Sequence, residues 1–101
     1  MDTPIHYALV GCGRVAGRHA EAIRSSKHTQ LIAVCDLVEA RAREKGEAYG
    51  VPWYTNYHRL LSQHPQVDIV SIITPSGSHY DHAFDIISHY QKHVLIEKPL
   101  V

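Results

Sequence analysis

The 101-residue sequence has few cysteines, no excess of either charge and no long apolar run. Two cysteines, Cys12 and Cys35, make no disulfide framework, so we expect reduced thiols and a cytoplasmic protein. Ten basic and ten acidic side chains cancel, and no apolar stretch reaches the roughly 20 residues that span a bilayer. The first residues lack the basic and apolar regions of a secretory signal. We therefore expect neither a nucleic-acid partner nor a membrane partner.

Histidine, in contrast, is abundant, with nine residues in the chain. His79 and His82 would share one face of a helix. Two histidines without a third ligand at a fixed spacing are weak evidence for a metal ion. We therefore interpret the histidines as surface and capping residues and predict no metal site.

Short apolar runs rich in β-branched residues recur along the chain. They do not alternate polar with apolar residues, which is typical of strands buried on both faces of a parallel sheet. Residues 51–55 form a possible further strand, which Pro52 would place at an edge of the sheet. The four other predicted strands are residues 5–10, 31–35, 68–73 and 93–96.

Helical patterns separate these runs. Gly50 is a plausible stop for the second helix, and Ser78 with Asp81 forms a capping box before the last one. The predicted helices are residues 14–27, 37–49, 56–63 and 79–91. Alternation of this kind predicts one α/β domain over residues 1–101, a doubly wound parallel sheet of about five strands with helices on both faces.

A glycine loop follows the first strand and opens the first helix. Gly11 and Gly13 fit the first two positions of the pattern G-x-G-x-x-G/A, and Ala16 fits the third. Gly11 would let the chain turn off the strand, and Gly13 would let a diphosphate approach the backbone. The helix N-terminus would then face the phosphates. This arrangement predicts a Rossmann-type dinucleotide-binding domain.

An acidic residue stands at the distance that the motif requires. Asp36 ends the second strand, where its carboxylate could accept hydrogen bonds from the adenosine ribose hydroxyls. No arginine follows it directly, so we expect NAD to be preferred over NADP. The alternative is that Asp36 only caps the next helix, together with Glu39.

Ligands of doubly wound sheets bind outside the carboxyl ends of the strands. The strand 68–73 leads into Thr74, Pro75 and His79, although an ordinary strand-to-helix connection would also explain these residues. The last strand leads into Glu97 and Lys98. If the sheet order is 3-2-1-4-5, Lys98 would lie over the nicotinamide end of the crevice, where a lysine can serve proton transfer.

Four segments together resemble the N-terminal nucleotide-binding domain of the Gfo/Idh/MocA oxidoreductases. They are "GCGRVAGRHA" at residues 11–20, "AVCD" at 33–36, "IITPSGSHYDHA" at 72–83 and "EKP" at 97–99. The resemblance covers nearly the whole chain. It implies a nicotinamide-dependent dehydrogenase that acts on a sugar, a nucleotide sugar or a cyclitol. It also implies a cytoplasmic enzyme that is a homo-oligomer at full length.

The resemblance carries over to individual residues. It implies a pyrophosphate loop at Gly11, Gly13, Arg14 and Val15, a ribose-binding acid at Asp36, an adenine-side contact at Arg41, a nicotinamide-side loop at Thr74, Pro75 and His79, and an active-site pair at Glu97 and Lys98. In this family the lysine approaches both the nicotinamide and the substrate, so Lys98 is the expected catalytic residue.

The sequence departs from the family in two ways. Ser76 stands where the family often has asparagine, and family members continue for some two hundred residues beyond their E-K-P motif. We therefore expect that a C-terminal substrate domain is absent from this chain and that these residues alone do not turn over a sugar.

Two alternatives stay open. A stand-alone dinucleotide sensor would need the glycine loop and Asp36 but not Lys98. A Rossmann-like methyltransferase usually has an acid before a denser glycine run, which "ALVGCGRVAG" lacks.

Overall fold

The computed structural model describes residues 4–11, 14–72 and 92–96. Within these ranges strands and helices alternate as expected. The elements in chain order are β1 (Ile5–Val10), α1 (Arg14–Ser25), β2 (Thr29–Cys35), α2 (Glu39–Tyr49), β3 (Trp53–Tyr54), α3 (Tyr57–Gln63), β4 (Ile69–Ile72) and β5 (His93–Ile96). The helix predicted at residues 79–91 and its capping box lie outside the described ranges.

Strands β1 and β5 coincide with the predicted runs, and the others differ at their ends. Strand β2 begins at Thr29 rather than at Leu31, because Thr29 and Gln30 continue the parallel ladder opposite Ile5 and His6. An apolar run indicates only the buried part of a strand, so the prediction did not include the polar residues Thr29 and Gln30 at the start of β2. Strand β4 spans Ile69–Ile72.

The strands form one parallel sheet in the order β3-β2-β1-β4-β5. This is the order 3-2-1-4-5 that the sequence analysis considered, and it makes β4 and β5 neighbours. Strand β3 lies at one edge of the sheet, as Pro52 predicted. The carbonyl of Pro52 still accepts a 3.1 Å hydrogen bond from the amide of Val34, because proline lacks only the donor.

Helices pack on both faces of the sheet because successive strand residues point to opposite sides. Val10 joins a cluster on one face that contains Leu60 and Leu61 of α3. Its neighbour Leu9 joins a cluster on the other face with Ala20 and Ile23 of α1. The domain is therefore a three-layer α/β structure with the sheet in the middle.

The second helix ends where the sequence predicted. Gly50 adopts the left-handed conformation, with φ of 66°, and its amide donates to the carbonyl of Gly46. A residue without a Cβ is favoured in that conformation. The helix begins later than predicted, at Glu39 instead of residue 37, because residues 36–38 form a turn.

Parallel pairing brings the carboxyl ends of all five strands to one edge of the sheet. Val10 pairs with Cys35 and with Ile72, which are the last residues of their strands. Cys35 in turn pairs with Tyr54, the last residue of β3. Gly11 and Asp36, which directly follow the ends of β1 and β2, therefore meet at this edge.

Candidate functional site

Gly11 begins the glycine loop and is buried at the tip of β1. Its φ is 107°, a backbone conformation that a residue with a Cβ adopts only under strain. The Gly11 amide donates a 2.7 Å hydrogen bond to the carbonyl of Cys35. The first glycine of the motif therefore turns the chain off the strand and is fixed against the end of β2.

Asp36 follows Cys35 directly and is held on two sides. Its amide donates to the carbonyl of Tyr54 at 3.1 Å. Its side-chain Oδ1 accepts a 2.8 Å hydrogen bond from the amide of Val38. The carboxylate is half-buried, so it remains accessible at the edge of the sheet where Gly11 lies.

The alternative interpretation of Asp36 as the N-cap of α2 is wrong. The N-cap residue is Val38, which makes no side-chain capping hydrogen bond. The contact between Asp36 and the Val38 amide is a local Asx turn, in which an aspartate bonds to the backbone two residues ahead. This turn orients the carboxylate before the helix begins. The predicted bond to ribose stays a prediction.

Arg41 lies in the first turn of α2, close in sequence to this turn. Its side chain is exposed, and its amide donates to the carbonyl of Val38 at 3.1 Å. The helix start thus places Arg41 at the same edge of the sheet as Asp36. A contact with the adenine side of a dinucleotide is compatible with this position and stays a prediction.

The remaining predicted site residues are described only in part or not at all. Arg14 and Val15 open α1 as predicted, and only their backbone is described. Gly13, Thr74, Pro75, His79, Glu97 and Lys98 lie outside the described residues. The structure thus brings Gly11, Asp36 and Arg41 to one edge, together with the start of α1.

One pair near the site was not predicted from the sequence. The hydroxyl of Tyr54 lies 2.9 Å from Nε2 of His64, and the two rings meet edge to face with their centroids 5.7 Å apart. The residues are ten positions apart and belong to no motif, so the sequence carries no signal for this contact. The Asx turn, in contrast, could have been predicted, since an aspartate shortly before a helix favours it.

The geometry suits an anionic ligand with hydroxyl groups. Helix α1 begins at Arg14, three residues after Gly11, so its free amides and the positive end of its dipole lie by the glycine loop. Beside it, the carboxylate of Asp36 can accept hydrogen bonds. In residues 4–11, 14–72 and 92–96 no group of three or more His, Cys, Asp or Glu side chains could hold a metal ion. No helix in those ranges has the length and apolar character needed to cross a bilayer.

Comparison with known proteins agrees with this geometry. The family model of the Gfo/Idh/MocA proteins, "Oxidoreductase family, NAD-binding Rossmann fold", matches residues 5–101. D-glucoside 3-dehydrogenase of Escherichia coli K12 is 33% identical over 101 residues, which cover 97% of this chain and 28% of that protein.

Two solved structures also match. The WlbA dehydrogenase from Chromobacterium violaceum, in complex with NADH and UDP-GlcNAcA, has a TM-score of 0.87 and 36% identity over 97% of this chain and 28% of that chain. Biliverdin reductase from Synechocystis sp. PCC 6803, in complex with biliverdin and NADP+, has a TM-score of 0.84 and 31% identity over 98% of this chain and 31% of that one. The chain thus spans less than a third of the length of each of these three proteins.

Proposed function

This chain belongs to the Gfo/Idh/MocA oxidoreductase family, and on that premise we propose that it binds NAD at the edge formed by Gly11 and Asp36. The observation that carries the proposal is the 2.7 Å hydrogen bond from the Gly11 amide to the Cys35 carbonyl. It fixes the start of the phosphate-binding loop beside the residue that precedes the ribose-binding acid. Such adjacency is what a dinucleotide requires, because its pyrophosphate and its adenosine ribose are joined.

The described residues fit this cofactor. The φ of Gly11 is one that glycine supplies without strain. Helix α1 then begins within three residues, so that its N-terminal amides are available to phosphate oxygens. Asp36 is half-buried and oriented by the Val38 amide. In our assignment Gly11, Gly13, Arg14 and Val15 hold the pyrophosphate, and Asp36 holds the ribose hydroxyls with Arg41 on the adenine side.

The activity that we propose is hydride transfer between nicotinamide and the hydroxyl-bearing carbon of a sugar, nucleotide sugar or cyclitol. Relatives named for oxidation at a sugar or inositol hydroxyl support this class of substrate. The bound cofactor supplies the hydride acceptor. Lys98 would hold the substrate hydroxyl and move its proton, and Thr74, Pro75, His79 and Glu97 would line the nicotinamide side. These assignments derive from the sequence motifs.

The proposal extends to the setting of the enzyme. We place the substrate contacts in a separate substrate domain. The relatives are long enough to contain such a domain, because this chain covers only 28% of their length. We also propose a cytoplasmic location and a homo-oligomeric assembly, as the sequence resemblance implies.

A charge argument favours NAD over NADP. A 2′-phosphate would lie within about 4 Å of the Asp36 carboxylate if Asp36 faces the ribose. Like charges at that distance cost on the order of 1–4 kcal/mol at intermediate dielectric. We therefore expect NAD to bind roughly five- to several-hundredfold more tightly. Biliverdin reductase from Synechocystis sp. PCC 6803 is in complex with NADP+, so similarity of fold alone does not decide this preference, and we assign it to Asp36.

Calorimetric titration of the 101-residue chain with NAD and NADP at matched salt tests the proposal. The Asp36→Asn variant should lose most of the preference, since an amide does not repel phosphate. Asp68→Asn is the matched control, because Asp68 is an exposed acid at the opposite, amino end of the sheet and bonds to the amide of His6. Equal affinities of the unmodified chain for the two cofactors would overturn the ribose assignment. No binding of either would overturn the proposed function.

A further inference from the structure

We propose that Tyr54 is a positioning residue that acts through its backbone on Asp36 and is itself fixed by His64. The inference rests on the proposed role of Asp36 at the ribose. Tyr54 would thus be a determinant of NAD selectivity that lies on the edge strand β3 and belongs to none of the sequence motifs described above.

Asp36 depends on β3 for the placement of its backbone. The amide of Asp36 donates to the carbonyl of Tyr54 at 3.1 Å, and this bond lies directly before the turn that orients the carboxylate. A shift of Tyr54 therefore moves the amide of Asp36, and the carboxylate moves with it. Selectivity against a 2′-phosphate depends on the distance between two charges, so it is sensitive to such a shift.

Strand β3 is too short to hold this position through its own ladder. It contains two residues, Trp53 and Tyr54. Within the described ranges it pairs with β2 alone. Hydrogen bonds run from the amide of Val34 to the carbonyl of Pro52, directly before the strand, and from the amide of Asp36 to the carbonyl of Tyr54. A pairing of this length is weak by itself, so side chains must fix the strand.

The two side chains of β3 anchor it to opposite faces of the sheet. Trp53 packs against Gly46 of α2 and belongs to the cluster that contains Leu9. Tyr54 packs on the other cluster, and its hydroxyl lies 2.9 Å from Nε2 of His64.

His64, which contacts the hydroxyl of Tyr54, is itself held in place by backbone hydrogen bonds. Its amide donates to the carbonyl of Leu60 at the end of α3. Its carbonyl accepts a 3.1 Å hydrogen bond from the amide of Val67, and Val67 is 1% exposed. The backbone of His64 is thus fixed on both sides, and its ring meets the ring of Tyr54 edge to face. The contact from His64 to Tyr54 and on to Asp36 is continuous.

The ratio of the two cofactor affinities measures this effect apart from stability. NAD and NADP both bind the folded chain, so a loss of folded protein lowers both apparent affinities by the same factor and leaves their ratio unchanged. A displaced or reoriented Asp36, in contrast, changes the ratio.

The test is calorimetric titration of the unmodified chain and of Tyr54→Phe with NAD and NADP at matched salt. We expect the preference for NAD to fall roughly three- to tenfold in Tyr54→Phe, because a displaced Asp36 carboxylate repels the 2′-phosphate less strongly. Tyr49→Phe is the matched control, because Tyr49 is also half-buried but packs on the other face, beneath the guanidinium of Arg24. It should leave the ratio unchanged.

Two variants of His64 repeat the test from the other side of the contact. His64→Leu should lower the ratio as Tyr54→Phe does, and His64→Gln should preserve it, because a glutamine amide can either donate to the tyrosine hydroxyl or accept from it. If Tyr54→Phe does not fold, this pair decides alone. In the background Asp36→Asn, Tyr54→Phe should have no further effect on the ratio, since the carboxylate that it positions is gone.

The outcomes separate the two proposals. If the unmodified chain prefers NAD and Tyr54→Phe and His64→Leu both keep that preference, the positioning role is wrong and the proposed function stands. If Tyr54→Phe still lowers the ratio in the Asp36→Asn background, Tyr54 acts on the cofactor by another route and this inference is overturned. A chain that binds neither cofactor, or that binds both equally, overturns this inference together with the assignment of Asp36.

Discussion

The amide of Gly11 and the carbonyl of Cys35 are joined by a 2.7 Å hydrogen bond, although 24 positions separate the two residues. The bond connects the tip of β1 to the tip of β2. It sets the distance between the glycine loop and Asp36 at a point where neither segment is regular strand or helix. A backbone contact therefore sets the relative placement of Gly11 and Asp36.

Replacement of Gly11 by alanine should damage the binding edge. Its φ of 107° is unfavourable for a residue with a Cβ, so Gly11→Ala should lower the free energy of unfolding by about 1–3 kcal/mol. It should also weaken NAD binding, because relief of the strain would shift the amide that bonds to Cys35.

Urea denaturation and calorimetry would measure these two effects. Gly50→Asn is the matched control: Gly50 also has a positive φ, of 66°, but an added Cβ would meet nothing within 4 Å, and asparagine tolerates that conformation. A Gly11→Ala variant as stable as Gly50→Asn and with normal NAD affinity would contradict the prediction.

Lys98 is predicted to transfer the proton of the substrate hydroxyl. In a polypeptide of the relatives' length that contains this chain, Lys98→Ala should lower turnover by a factor of roughly 10²–10⁴, the range for a positioned proton-transfer group. The affinity for NAD should change much less. Lys92→Ala is the control, because the ammonium of Lys92 bonds to the Pro65 carbonyl near the amino end of the sheet. Near-normal turnover in Lys98→Ala would show that the lysine has no catalytic role.

Gly46→Ala should destabilise the domain although alanine is the better helix former. A Cβ at position 46 would lie 2.7 Å from Cδ1 of Trp53 and 2.8 Å from its Cβ. Overpacking of this kind costs about 1–3 kcal/mol and outweighs the gain of about 1 kcal/mol in helix propensity. The double variant Gly46→Ala, Trp53→Leu should recover part of the loss relative to Trp53→Leu alone. A higher melting temperature of Gly46→Ala would contradict the prediction, because it would show that α2 and β3 can move apart at no cost in stability.

Ser71→Ala should stabilise the domain. Ser71 is 1% exposed, and its hydroxyl has no hydrogen-bond partner within the described part of the chain. Removal of a buried unsatisfied hydroxyl gains about 1 kcal/mol, which would raise the melting temperature by roughly 4–8 °C in a domain of this size.

Calorimetric melting is the measurement for Ser71→Ala. The control is Ser62→Ala, since the hydroxyl of Ser62 is exposed and donates to the carbonyl of His58; it should change stability by less than about 0.5 kcal/mol. A lower melting temperature for Ser71→Ala than for Ser62→Ala would mean that the hydroxyl contributes to packing.

The sequence by itself determined the class of fold and the conformation of two glycines, Gly11 and Gly50. Continuous apolar runs predicted a parallel sheet because strands buried on both faces need apolar residues at every position. Gly11 was predictable because the turn needs a residue without a Cβ, and Gly50 because it ends a helix in the left-handed conformation.

The tertiary structure alone decided what surrounds those residues. The sequence left helix capping open as an alternative role of Asp36. The structure excludes the N-cap role, because the helix begins only at Glu39 and its N-cap residue is Val38. The contact of Tyr54 with His64 has no signature in the sequence. Its physical reason is that β3 and the end of α3 are brought together by packing on the sheet, and packing between elements depends on their relative placement, which residue spacing along one chain does not encode.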